Sequence, residues 1–153
     1  LPKEILDEVA DIRVLALGIA TEKVKNLVDK YSQECEIMFE KPFNEYNKHW
    51  YSIADKVPAH IKENYNFHDC QILKISKDGN DIVFELDNSG GFTNINKIIY
   101  KDAEILENNF TEGCYWVYDE MYLCDKGYEF HIAVDGENGY DYITLQASDV
   151  IFE

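Results

Sequence analysis

"NYNFHDCQILKI", Asn64 to Ile75, is where the patterning of this chain changes. Ahead of it, apolar residues recur every three to four positions, the spacing of helices. Behind it they alternate, the spacing of strands. A chain that coils first and extends afterwards is α+β. The stretch also places a histidine, an aspartate and a cysteine together at the mouth of the first strand, which raises a question about chemistry as well as fold.

Working upstream, "LPKEILDEVADIRVLALG" has Pro2 at a first-turn position and acids behind it, suiting a helix N-terminus. Ile5, Val9, Ile12, Ala16 and Ile19 form one stripe. Thr21 can cap a second helix, with Glu22 in its first turn. Val24, Leu27, Val28, Tyr31, Cys35 and Met38 are that helix's apolar face, and Pro42 is expected to end or kink it. Phe43, Tyr46, Trp50, Ile53 and Val57 continue a helical spacing to Pro58, and "PAHIKENY" reads as one more short turn of helix.

Downstream, "DCQILKIS" and "DIVFELD" are strands joined by "KDGN", a hairpin signal. "NKIIYKDAEIL" reads as a third strand with a bend, and "CYWVYDEMYLC" as a long fourth. "DKG" then turns the chain into "YEFHIAV". "DGENG" turns it again into "YDYITLQASDVIF". The expected fold is an N-terminal helical segment, residues 1–66, packed on the same core as a sheet domain, residues 67–153. That sheet is an antiparallel meander of about six strands, with room to curl into a half-barrel.

The 153 residues suit one domain, and 46% hydrophobic residues suffice for a core. The formal charge of −16 excludes sequence-independent nucleic-acid binding, which needs Lys and Arg against phosphates, and disfavours an anionic membrane surface. The acidity is concentrated: residues 1–66 hold 9 basic and 12 acidic side chains, and residues 67–153 hold 5 and 18. No apolar run approaches the roughly 20 residues of a membrane span, and "VLALGIA" lacks a signal-peptide layout. Cys35, Cys70, Cys114 and Cys124 contain no C-x-x-C, which points to free thiols in a reducing cytoplasm. Because Leu1 and not methionine stands first, native residues are expected upstream.

In a regular strand His68, Cys70 and Ile72 face one way and Asp69, Gln71 and Leu73 the other, so a His68–Asp69 pair requires a bend. His131 falls with Glu129, Ala133 and Asp135, opposite Phe130 and Ile132. Neither "DNSGGFTN" nor "DGENGYD" is a calcium loop. Counting from Asp87 puts Phe92 and Ile98 at the sixth and twelfth positions, and counting from Asp135 puts Tyr140 and Gln146 there. No G-x-S-x-G, H-E-x-x-H or phosphate loop is present. On "GCYWVYDEMYLC", strict alternation puts Cys114, Trp116, Tyr118, Glu120, Tyr122 and Cys124 on one face.

"FHDC", "ELDNSGGFTNINKIIY", "WVYDEMY" and "GYEFHI", together with "LPKEILDEVADIRVLALGIAT", resemble a family of uncharacterised bacterial proteins of about this size, found largely in low-GC Gram-positive bacteria. That resemblance covers most of the chain, lends no activity, and implies a start further upstream. The "HD" entering a β-rich acidic domain is also similar to small immunity-type proteins that neutralise toxins.

Two functional expectations follow. The first is a non-enzymatic cytoplasmic binding protein without a cofactor. It would present Trp116, Tyr118, Glu120 and Tyr122, rimmed by His68 and Asp69, to a basic protein partner. The second is a metal-binding or metal-dependent hydrolytic domain using His68, His131, Asp69 and Glu120. A pocket for a small apolar ligand, lined by Phe84, Phe130 and Trp116, is a third.

Overall fold

The computed structural model describes residues 1–109, 111–136 and 139–153. Two compact units divide after Lys48. In the first, α1 spans Lys3–Leu6, α2 spans Arg13–Ala16 and α3 begins at Glu22. The single helix expected over the first eighteen residues is thus two short ones. Asp11 is the reason: its carboxylate accepts from the Arg13 backbone N–H at 2.9 Å and also from the Arg13 guanidinium. A side chain bonding the backbone this way starts a helix anew instead of continuing one. The expected stripe breaks with it, since Ile5 is buried while Ile12 and Ile19 are exposed.

Helix α3 starts as the sequence indicates, with the Val24 N–H donating to Thr21 Oγ1 at 3.4 Å. It does not end at Pro42. It runs unbroken to Ile53 with that proline inside. Proline removes one intrahelical bond at a cost of about 3 kcal/mol, a penalty that a helix of 32 residues absorbs in its remaining turns.

The second unit, His49–Glu153, holds the end of α3, a 3-10 turn at Ala54–Lys56, α4 (Ala59–Asn64) and eight strands. These are β1 (Gln71–Asp78), β2 (Asp81–Asp87), β3 (Lys97–Lys101), β4 (Glu104–Asn108), β5 (Trp116–Cys124), β6 (Gly127–Gly136), β7 (Gly139–Ala147) and β8 (Asp149–Phe152). They form two antiparallel four-stranded sheets, ordered β1-β2-β3-β8 and β4-β7-β6-β5, neither closed into a barrel. The count exceeds six because two expected strands each turn a corner. "NKIIYKDAEIL" bends at Asp102, whose φ of 45° is unusual for a residue with a side chain, and becomes β3 and β4. "YDYITLQASDVIF" bends at Ser148, whose N–H donates to the Lys101 carbonyl, and becomes β7 and β8. The two corners lie against each other, so both ribbons pass from one sheet to the other at the same level.

The hairpin at "KDGN" forms with Gly79 at φ +61°, and Asp78 pairs with Asp81 across it. The "DGENG" turn has its tip outside the described residues. Ile82, Phe84 and Leu86, and likewise Phe130, Ile132 and Val134, point into one core, as their alternation predicts. Ile53, Val57 and Ile61 join that core from the helical side. Phe84, Phe130 and Trp116 are fully buried and fill it: Tyr100 packs against Phe84 and Phe130 with ring centroids 5.1 Å from each, and Trp116 lies 6.3 Å from Phe84. An apolar ligand pocket among those three residues is therefore corrected to a packed interior.

Candidate functional site

The β5 strand carries most of the candidate residues, and its start is irregular. Trp116 pairs with Val134, but the next pairs are Tyr118 with Ala133 and Asp119 with Ile132. Val117 is thus a bulge, which shifts the side-chain alternation by one. Trp116 turns inward with Asp119 and Met121, while Tyr118, Glu120, Tyr122 and Cys124 turn outward. The expected common face of Cys114, Trp116 and Tyr118 to Cys124 is corrected accordingly. Trp116 is 0% exposed and presents nothing to a partner.

The outward residues meet those of β6 and β7 in register. Tyr118, Ala133 and Tyr142 form one row; Glu120, His131 and Thr144 the next; Tyr122, Glu129 and Gln146 the third. Hydrogen bonds hold this grid. The Tyr122 hydroxyl donates to Glu120 Oε2 at 2.5 Å. His131 Nε2 lies 2.7 Å from Glu129 Oε1, and the Gln146 amide donates to Glu129 Oε2 at 2.6 Å. The His131 contact, then the Gln146 bond, hold the Glu129 carboxyl below its usual range. The Tyr122 ring is further flanked by His131 and by His49, with centroids 4.9 and 4.5 Å away. Tyr118 and Tyr142 remain 41% and 49% exposed in register on either side of the small Ala133.

The "HDC" stretch sits at the start of β5 through backbone bonds. The Asp69 N–H donates to the Trp116 carbonyl, and the Trp116 N–H to the Cys70 carbonyl, both at 2.9 Å. The chain does bend there: Asp69 has φ 67°, which brings its Oδ2 within 3.1 Å of His68 Nδ1. Cys70 is core, and a Cβ at Gly91 would overlap its sulfur. Burial pushes the Cys70 thiol up and the Cys114 thiol to about 11, so neither offers a thiolate near neutral pH.

Asp119 is the residue that sequence reasoning left without a role. Burial pushes its carboxyl up to about 6, partly offset by a 2.8 Å hydrogen bond from Trp116 Nε1 and by the nearby His68. Next to it in the core, the Tyr100 and Tyr65 hydroxyls bond at 2.9 Å, and burial raises the Tyr100 hydroxyl strongly. The only signal in the sequence is an acid amid apolar neighbours, opposite Tyr118 and Glu120 by alternation; the bulge at Val117 brings Trp116 round to the same side. Of the four metal-ligand candidates, His68 and Asp69 form one pair at the start of β5, and Glu120 and His131 face each other on the outer surface. Among the described residues no group of three or more His, Cys, Asp or Glu side chains is arranged to hold a metal ion. No described helix is long and apolar enough to cross a membrane.

An α+β protein with a paired-sheet unit and a hydrogen-bonded acidic-aromatic face is the class that these observations define. The model of a protein family of unknown function, DUF4085, matches residues 1–143, and the chain belongs to that family. No curated protein and no solved structure matches it.

Proposed function

We propose that this is a non-enzymatic binding protein of the bacterial cytoplasm whose outer β5-β6-β7 face receives a basic segment of a protein partner. The observation that carries this reading is the composition of that face. Tyr118, Tyr122 and Tyr142 alternate with Glu120 and Glu129, and no lysine or arginine stands among them in the three rows. Tyrosine supplies contact area at low entropic cost, and its ring face attracts cations. The carboxylates are held by hydrogen bonds, so little ordering remains to be done on binding. An acidic field also speeds encounter with a cationic partner and makes it salt-dependent.

The test uses a short peptide alternating lysine and arginine with glycine, titrated into isotopically labelled protein. Amide shifts are expected to cluster on residues 118–122, 129–133 and 142–146, and to fade with added salt. Glu129→Lys should weaken binding by about tenfold or more. Shifts spread evenly over all the acidic surface, or affinity unchanged in that variant, would refute the reading.

A further inference from the structure

A cavity in the sheet unit lies away from this face, where the β1–β2 hairpin meets the β3–β4 corner and the β5–β6 turn. It measures about 700 Å³. Its apolar lining is Ile75, Ile82, Ala103 and Ile105, and Ser76, Asn80 and Asn108 add polar groups. The walls are fixed. The Ala103 N–H donates to the Asn80 carbonyl at 2.7 Å, and Lys101 is ion-paired to Asp81 at the corner.

Charge makes this cavity distinctive. Residues 67–153 contain 5 lysines against 18 carboxylates. Three of those lysines are ion-paired: Lys74 with Glu85, Lys97 with Glu153 and Lys101 with Asp81. Among the described residues the other two, Lys77 and Lys126, have no acidic partner, and both line the cavity. Asp102 and Glu104 line it too, but unpaired acids are common in so acidic a unit, whereas unpaired lysines are scarce. Lys77 also lies in register with the cavity's apolar lining. It is the register partner of Ile82 and shares a side of β1 with Ile75, both of which line the cavity. Lys77 itself is exposed at the mouth of the cavity, so its ammonium is open to an incoming anion.

We propose that this cavity binds a small organic anion, its oxyanion group met by Lys77 and Lys126 and its apolar body lying on Ile75, Ile82 and Ile105. Carboxylate and phosphate ester share the required chemistry. Lysine serves either as a point charge, with the Ser76 hydroxyl and the Asn80 amide as further donors.

Hexanoate, hexyl phosphate and hexylammonium, each titrated against the whole chain and read by amide shifts, test the proposal. Saturable shifts confined to residues 75–82 and 102–108 with either anion support it, and the tighter anion identifies the group. Lys77→Gln and Lys126→Gln should each weaken that binding about tenfold, with circular dichroism showing the fold kept. Equal binding of hexylammonium, no saturable site for either anion, or unchanged affinity in both variants overturns it. So does aggregation of Lys77→Gln with anion binding intact, which would assign that lysine to guarding the edge of the sheet.

Discussion

Replacing Asp119 by asparagine should stabilise the sheet unit at neutral pH. The wild-type carboxyl has its pKa raised from an ordinary 3.8 to about 6 by burial. At pH 7 it is ionised in both states, and the folded state bears the cost. At about 1.4 kcal/mol per unit, that cost is at most about 3 kcal/mol, and less to the extent that the carboxyl keeps contact with water. The sign follows from proton counts. Between about pH 4 and pH 6 the folded state binds more protons at this site than the unfolded state, so stability falls as pH rises through that window. Below about pH 4 the penalty is absent. Asparagine keeps an oxygen for the Trp116 Nε1–H and carries no charge. Urea unfolding across pH 4 to 8 measures the effect. The variant should match wild type near pH 4 and exceed it increasingly to about pH 6.5, after which the gap is constant. A variant less stable than wild type at pH 7, or two parallel profiles, would refute the account.

Two other substitutions probe the surroundings. Glu129→Gln acts with the opposite sign: a carboxyl held low by His131 and Gln146 stabilises above its unfolded pKa and loses that as pH falls, so the variant's acid limb should be flatter in the same titrations. Gly91→Ala should lower the melting temperature by several degrees, because the added methyl overlaps the Cys70 sulfur and crowds the His68 carbonyl, and calorimetry would read it.

The sequence carried the period of each half, and with it the fold class, because alternation in β2 and β6 is a local property of consecutive side chains. Turn chemistry at Gly79 and capping at Thr21 were legible for the same reason. What escaped depended on partners distant in sequence. Val117 is an ordinary strand residue, and only its pairing with β6 makes it a bulge, yet it moves Trp116 from surface to core, onto the same side as Asp119. Asp102 and Ser148 become corners only because the ribbons containing them meet. Pro42 misled in the other direction: its local penalty was real, and the length of α3 outweighed it. On the outer face, Glu129 and His131 were legible as neighbours two residues apart, but Gln146 and Tyr142 joined them only through the register of β7.

The paired corners also bear on how the chain can be made. Strand β8 completes the first sheet beside β3, and β7 must arrive before β4 has any neighbour. Neither sheet can therefore be completed before β7 and β8 have emerged. The emerging chain holds its β1–β3 segment with an open border until β8 is available to pair with it, and that interval is its most aggregation-exposed moment.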